Sequence, residues 1–476
     1  MLKNHIFSVL TSGLGFQLTE SQINMLLSLS DFIANKPEDF VYVLKGYAGT
    51  GKTTMISQLV KTLDNFQIGS VLLAPTGRAA KVLMNYTGKT SYTIHKKIYR
   101  QKSSTDGTGI FVLDKNLHKS TYFIVDEASM ISNQSSENSV FGSGKVLDDL
   151  LEYVYSGKDC RLILVGDTAQ LPPVGISLSP ALSSESIEQY GFGVMENELT
   201  DVVRQEKNSG ILENATGLRT SIGNNQVADF YRIYVNDFSD IEKIPGGELI
   251  EKINWCYDNF GIYDTIVLTR SNKRANQYNS GIRSSILFRD SEISRGDLLM
   301  VVKNNYFWSE GTENLDFIAN GDITEVLHIY GYENLHGFRF ADVSLRFIDY
   351  DDVEVRCNIL MDTLNIETAS LSQVDSNRLF LSVSEDYQEI KNKRERWKKI
   401  KQDKYYNALQ VKFAYAITCH KAQGGQWKAV FVDTGYLTPE MLNRDFYRWL
   451  YTAFTRPMEK LYLVNFDKRF FIKNDD

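Results

Sequence analysis

Cysteine is scarce in this chain. The four residues, at 160, 256, 357 and 419 of 476, show neither the pairing of a disulfide framework nor the spacing of a zinc site. They read as buried reduced thiols. The six histidines form no i, i+4 pairs, so a structural metal is not suggested either. Long apolar runs are missing. None approaches the roughly 20 residues that a membrane span needs, and the N-terminal stretch MLKNHIFSVLTSGLGFQLTESQ lacks an apolar core followed by a small-residue cleavage site. The expectation is a cytoplasmic protein with no membrane role. A basic excess is also absent: 52 Lys and Arg face 59 Asp and Glu, for a formal net charge of −7 and a pI of about 5.6. That argues only weakly against a nucleic-acid partner, because binding depends on local patches and not on the sum.

What is present is a balance of 43% hydrophobic and 23% charged residues, that of a soluble globular chain, in a length that calls for two to four domains. Short β-rich runs end at polar or glycine-bearing turns: FVYVLKG (40–46), GSVLLAP (69–75), STYFIVDEA (120–128) and DCRLILVGD (159–167). Continuous apolar strands with chemically active residues at their C-terminal ends are the pattern of a buried parallel sheet. TTMISQLVKTLDNF and RAAKVLMNY read as helices between them. A second set, YDTIVLTR (263–270), VKFAYAITC (411–419), KAVFVD (428–433) and KLYLVNF (460–466), predicts a second α/β domain of the same kind. Between its first two strands, from about Gly296 to Leu364, the runs DLLMVVKNN, DITEVLHIY, FRFADVSLRF and DVEVRCNIL alternate as an inserted small barrel or sheet. A charged helical stretch follows. Residues 101–119, polar around a short apolar centre, read as a hairpin outgrowth of the first domain.

The sharpest local signal is GYAGTGKTT. Gly46-x-x-x-x-Gly51-Lys52-Thr53 follows a strand and opens a helix, as a phosphate-binding loop requires. Glycines let backbone N–H groups wrap phosphates at a helix N-terminus, where the dipole favours anions. Lys52 is placed to reach the β- and γ-phosphates, and the Thr53 hydroxyl to ligate Mg²⁺. In FIVDEAS, Asp126 at a strand end would hold the same Mg²⁺, and Glu127 would orient and deprotonate an attacking water. A base beside the metal carboxylate favours hydrolysis over transfer to a metabolite. Gln170, in VGDTAQLPPVG, comes from a third strand end and could sense the γ-phosphate or its water. Arg204 and Arg456, far downstream, read more often, each taken alone, as surface ion-pair residues. Together with a second α/β domain they suggest a nucleotide clamped between two lobes.

In chain order the sequence carries LTESQ, GYAGTGKTT, LAPTGRAA, TIHK, FIVDEAS, VGDTAQLPPVG, LTDVVRQ, VLTRSNKRANQYN, NGDITEV, AYAITCHKAQGGQW and YTAFTR. This series resembles the superfamily 1 (1B) DNA helicases of the RecD-like and phage T4 Dda-like branch, from about Leu18 to Leu463. The resemblance implies an α/β fold of two RecA-like parallel-sheet lobes, with a hairpin insertion in the first and an SH3-like β-barrel insertion in the second. The division it suggests is 1–195 for the first lobe (hairpin about 97–119), 196–295 with 410–476 for the second, and 296–409 for the insertion. Within the insertion the β part is about 296–364 and the helical part about 365–409.

The resemblance implies ATP and Mg²⁺ as cofactors. Gln22 would meet the adenine, and Gly46, Ala48, Gly49, Thr50, Gly51, Lys52, Thr53 and Thr54, with Gly424, would surround the nucleotide. Lys52, Glu127, Gln170, Arg204 and Arg456 would be catalytic, with the two arginines supplied from the second lobe, and Thr53 and Asp126 would hold the metal. Single-stranded DNA would run past Pro75, Thr76, Thr93, His95, Pro172, Thr269, Asn272, His420 and Lys421. Members of this branch move 5′ to 3′ and work as monomers on single strands and single/double-strand junctions. They act in replication, repair and recombination, whose proteins are candidate partners. Phe111, in the hairpin, is the best-placed aromatic for a strand-separating pin, with packing inside the hairpin as the equal alternative.

Two departures stand out: Ala422 where the family has Ser, and Tyr47 in the phosphate loop where a small residue or Pro is usual. The run 391–404, with eight Lys or Arg against two acids around Trp397, reads first as a solvated helix face and second as a DNA-tracking arm. A kinase or GTPase-like switch is disfavoured, because guanine-reading segments are absent and a second lobe is present. A nucleic-acid clamp with an inert nucleotide site is opposed by the full catalytic set.

Overall fold

A computed structural model describes residues 2–471 except 36, 102–110, 135–141, 202–208, 228, 237, 311, 313, 314, 316 and 351. Six parallel strands form the first sheet, in the order Ser91–Thr93, Gly69–Ala74, Thr121–Val125, Arg161–Gly166, Phe40–Gly46, Gly193–Leu199. Its central strands are buried on both faces, which is why they read as continuous apolar runs. Glu20–Asn35 and Lys52–Asn65 cover one face through Met25, Leu29, Phe32, Leu59 and Leu63. Val146–Tyr155 covers the other through Leu147, Leu150, Leu151 and Val154.

The edge strand Gly193–Leu199 pairs in parallel along all of Phe40–Gly46. The expected boundary between 195 and 196 cuts through it, and the strand belongs to the first lobe. Its sequence GVMENEL is half polar because one flank faces solvent, so it gives no apolar run to recognise.

The second sheet is also parallel, in the order Ala416–Thr418, Thr265–Thr269, Trp427–Asp433, Pro457–Val464, Ile241–Ile244. Between its strands the chain builds a closed five-stranded barrel from Leu298–Val301, Ile323–Leu335, Phe338–Phe347, Val353–Leu360 and Leu409–Phe413. The last of these pairs antiparallel with Leu298–Val301 and parallel with Val353–Leu360, and so closes the barrel.

The boundary expected at 409/410, and the single strand expected over 411–419, are therefore both wrong. The run is divided between barrel and sheet. Asn279 accommodates the transition: its Nδ2 donates to the Phe413 carbonyl at 3.1 Å and the Ala416 carbonyl at 2.9 Å, while Ala416 N–H donates to its Oδ1 at 2.7 Å. Backbone groups that leave one ladder before entering the next are thus satisfied in the interior.

The helices Gln373–Glu385 and Lys393–Lys401 pack on the barrel end through Leu379, Val383 and Ile400 against Phe338, Phe340 and Leu360. Trp397 lies 5.2 Å from the Phe380 ring, inside this small core. Tyr99–Gln101 and Phe111–Leu113 pair antiparallel as the base of the outgrowth; its tip falls among the residues not described.

Candidate nucleotide and nucleic-acid site

Three adjacent strands of the first sheet, Phe40–Gly46, Arg161–Gly166 and Thr121–Val125, end side by side. Their C-terminal turns deliver the phosphate loop, Gln170 and the Asp126–Glu127 pair to one place, as open parallel sheets do at their carboxyl edge. In the loop, Gly49 and Gly51 have φ of 79° and 89°, conformations that favour glycine, and Gly51 opens the helix Lys52–Asn65. Lys52 Nζ donates to the Tyr47 carbonyl at 2.8 Å, and Thr50 Oγ1 donates to the same oxygen at 2.8 Å. Gln22 is fully buried: its Nε2 donates to the Thr50 carbonyl at 3.1 Å and its Oε1 accepts from Thr19 N–H at 3.1 Å. Its amide therefore braces the loop from beneath.

Glu127 has φ of +54°, rare for a residue with a side chain, and such a conformation costs on the order of 1–3 kcal/mol and gathers at functional sites. Its N–H donates to Asp126 Oδ1 at 2.9 Å. Burial, then the neighbouring Glu127 charge, pushes the Asp126 carboxyl up to about 7, against the pull of Lys52. Asp126 and the Thr53 hydroxyl both line the cleft and offer oxygen donors that suit Mg²⁺, with Glu127 beside them. Gln170 is 5% exposed, and its Oε1 is buried with no protein partner. An orphaned acceptor beside the phosphate loop suits a water or hydroxyl group of a bound molecule.

The cleft has a volume of about 540 Å³ and is lined from both lobes. The first lobe supplies Gln22, Ala48, Gly49, Gly51, Lys52, Thr53, Thr54, Asp126, Glu127 and Gln170; the second supplies Ile211, Ala215, Gln426, Thr455 and Arg456. Arg456 is 3% exposed, with Nε donating to the Thr452 carbonyl at 3.1 Å, Nη1 to the Gly425 carbonyl at 3.2 Å and Nη2 to Thr455 Oγ1 at 2.9 Å. It is held by its own lobe and presented to the other. Arg204 lies outside the described residues. Gly46 and Thr50 stand behind the cleft wall: a Cβ at Gly46 would sit 3.1 Å from Leu199, Lys52 and Thr50, so their contribution is to the loop's shape.

Gly424 requires correction. It packs on the first lobe, where a Cβ would meet Ala79 at 2.9 Å and Thr76 at 3.4 Å, and the cleft is lined two residues later by Gln426.

Most of the nucleic-acid candidates gather on the two strands at one edge of each sheet. Pro75 and Thr76 follow Gly69–Ala74, and His95 follows Ser91–Thr93; in the second sheet Asn272 follows Thr265–Thr269, and His420 and Lys421 follow Ala416–Thr418. Thr76 Oγ1 caps the helix Gly77–Thr87 by accepting from Ala79 N–H at 3.2 Å. Burial pushes His95 down to about 4, so it is neutral at physiological pH. Pro172 is half-buried, Asn272 donates to the Glu367 carbonyl at 3.0 Å, and His420 is exposed. Lys421 bonds Asn320 of the barrel loop, and burial, then Lys412, brings its pKa down to about 8.

Three expected contacts fail. Thr269 is fully buried and donates to the Ser271 carbonyl at 3.0 Å, and Thr93, 6% exposed, caps a helix by accepting from Lys96 N–H at 3.1 Å. Phe111, 9% exposed, lies 4.4 Å from the Tyr306 ring of the insertion, so it packs a junction and does not face a duplex.

Residues 30–232 match an AAA domain model, and residues 413–464 match the UvrD-like helicase C-terminal domain. Uncharacterized protein R530 of Acanthamoeba polyphaga mimivirus is 25% identical, with 91% of this chain and 97% of that protein aligned. The ATP-dependent DNA helicase Dda of Enterobacteria phage T4 is 26% identical over 60% of this chain and 61% of its own length. The ATP-dependent RecD2 DNA helicase of Deinococcus radiodurans is 32% identical over 37% of this chain and 21% of its own length. Through these matches the chain is similar to the superfamily 1 helicases of the RecD and Dda type. A structure of Pif1 helicase from Bacteroides in complex with ADP-AlF3 and ssDNA aligns with 96% of this chain and 95% of its own, at 15% identity and a TM-score of 0.46.

In and around the cleft, the residues that the motifs did not single out are Gln426, Tyr451, Thr452 and Arg219. The first three sit inside or beside quoted motifs, where spacing was available as a signal. Arg219, on the helix Gly210–Gly223, has none.

Proposed function

We propose that the chain is an ATP-dependent DNA helicase that hydrolyses ATP between its two lobes to move along single-stranded DNA, from 5′ to 3′, and to open duplex at a single/double-strand junction. The observation that carries this reading is the composition of the cleft: phosphate loop, paired carboxylates and orphaned amide on one lobe, Arg456 on the other. A site completed by two bodies makes hydrolysis depend on their approach, which is how nucleotide chemistry becomes movement.

Lys52 leaves the Tyr47 carbonyl to bind the phosphates as a point charge. Glu127 takes the proton of the attacking water, which Gln170 orients. Arg456 stabilises the charge that spreads over the transferring phosphoryl group. Thr53 and Asp126 would hold Mg²⁺, which when bound supplies the counter-charge that this chemistry needs. The strand runs past Pro75, Thr76, His95, Pro172, Asn272, His420 and Lys421, gripped through its phosphates with little base reading. A monomer working in the cytoplasm suffices for this, since both halves of the cleft belong to one chain.

The test is steady-state ATPase activity with and without single-stranded DNA, together with strand displacement on duplexes bearing a 5′ or a 3′ tail. Stimulation by the single strand and opening of the 5′-tailed substrate are expected. Hydrolysis indifferent to any single strand would remove the motor, and opening only from the 3′ tail would reverse the polarity.

A further inference from the structure

The phosphate loop is tied directly to the second lobe. Ala48 N–H donates to Tyr451 Oη at 2.9 Å, and Tyr451 Oη donates in turn to Asp167 Oδ2 at 2.7 Å. Tyr451 and Asp167 are each 1% exposed. Tyr451 belongs to the helix Arg444–Phe454, five residues before Arg456, whereas Ala48 and Asp167 lie on two neighbouring strand ends of the first lobe. Burial, then the Asp167 charge, pushes the tyrosine's pKa well above its ordinary value, so the hydroxyl keeps its proton and donates.

Asp167 in turn shapes the turn that carries Gln170. Its Oδ1 accepts from Ala169 N–H at 2.9 Å, and its carbonyl accepts from Gln170 N–H at 3.4 Å. The next residue of the helix reinforces the tie: Leu171 N–H donates to Thr452 Oγ1 at 2.9 Å, while Gln423 Nε2 donates to the Leu171 carbonyl at 2.6 Å. The unusual Tyr47 of the loop is engaged by the same lobe, with the Arg219 guanidinium 4.5 Å from its ring centre.

We infer that Tyr451 is a positioning residue: from the second lobe it holds the phosphate loop through Ala48 and the Gln170 turn through Asp167, so that the two groups nearest the γ-phosphate are aligned only when the lobes are correctly placed. One hydroxyl, donor to one side and acceptor from the other, makes both alignments depend on the helix that leads into Arg456. The kinetic consequence rests on the proposed ATPase; the tie itself does not.

The variant Tyr451→Phe keeps the ring and its packing and removes only the hydroxyl. Two measurements on the full chain separate the ideas. Hydrogen–deuterium exchange of the nucleotide-free protein reads the tie alone: backbone amides of residues 46–51 and 166–171 are expected to exchange at least threefold faster in the variant, with the barrel unchanged. Steady-state kinetics reads its consequence: kcat in the presence of single-stranded DNA is expected to fall about tenfold, with KM for ATP changed less than threefold. Unaltered exchange in both segments overturns the inference whatever the ATPase does. Faster exchange with a wild-type kcat in the presence of single-stranded DNA overturns the positioning role. A wild-type protein that single strands do not stimulate overturns the proposed motor, and leaves the tie to be judged by exchange.

Discussion

At the scale of single residues, the cleft divides labour between groups that motif spacing reveals and groups that it does not. Lys52, Thr53, Asp126, Glu127 and Gln170 were legible because each ends a strand or opens a helix, and because a phosphate site demands those chemical types there. Replacing Glu127 by Gln keeps the shape and removes the base. The expected result is ATP binding within a few-fold of wild type and a turnover reduced by about 10²–10⁴, the contribution of a general base; single-turnover hydrolysis measures it, and an unchanged rate would mean that another group activates the water. Arg456→Ala should lower kcat by roughly 10³, on the scale of a lost arginine finger, with KM much less affected. A change confined to KM would make Arg456 a ground-state anchor. What could not be read at this scale was burial. Thr269 and Thr93 occupy motif positions, yet their hydroxyls are used by the chain's own backbone. A motif letter does not tell a cap from a contact, because Ser and Thr do both at the same helix end.

At the scale of elements, the apolar central strands of both sheets were visible because burial on two faces leaves no polar alternation to confuse the pattern. The same property hid the closure of the barrel. VKFAYAITC is apolar throughout, so nothing in its periodicity marks where it leaves the barrel at Phe413 and enters the second sheet at Ala416. The outgrowth misled for a different reason: an aromatic near a polar turn suits a pin, and only the fold brings Tyr306 against it. Phe111→Ala should therefore lower stability by about 3 kcal/mol, as for a buried ring, and reduce ATPase and unwinding together. Chemical denaturation with parallel activity assays would separate this from a selective loss of unwinding, which would restore the pin.

The barrel also carries a pH-sensitive joint. Asp322, 1% exposed, accepts from Ala319 N–H at 2.7 Å and from Tyr350 Oη at 3.0 Å, beside Gly77 of the first lobe. Burial pushes its carboxyl up to about 8. A carboxyl whose folded pKa is raised holds a proton that the unfolded chain has already released, so its contribution to stability declines as pH rises from about 4 through 8. Asp322→Asn should remove that decline: relative to wild type the variant gains roughly 1 kcal/mol per pH unit between 5 and 8 and levels off above. Thermal melts of both proteins across this range test it, and parallel curves would show that Asp322 is not the titrating group.

At the scale of the whole molecule, the proposed function raises the question of how a chain of net charge −7 would hold a polyanion. Long-range attraction cannot supply the affinity, because at physiological salt charges beyond about 8 Å are largely screened. The contacts must be local, and each must displace a counterion condensed on the strand. The expected dependence of log K on log salt is therefore a straight line whose slope is about −0.7 for every phosphate neutralised. Lys421 is the most informative position. It stands at the edge of the second sheet and is bonded to Asn320 of the barrel loop, where the two bodies meet. Replacing it by Gln should make the slope shallower by about 0.7, whereas replacing a remote exposed lysine, such as Lys158→Gln at the opposite end of the first sheet, should leave the slope unchanged. Because burial and Lys412 bring its pKa down to about 8, its charge is present below that value and lost above it. Wild-type affinity for single-stranded DNA should accordingly weaken between pH 7 and 9, and the Lys421→Gln variant should lack this component. Fluorescence anisotropy over a grid of salt and pH measures both effects. Identical slopes for Lys421→Gln and wild type would mean that the strand does not pass the junction of lobe and barrel.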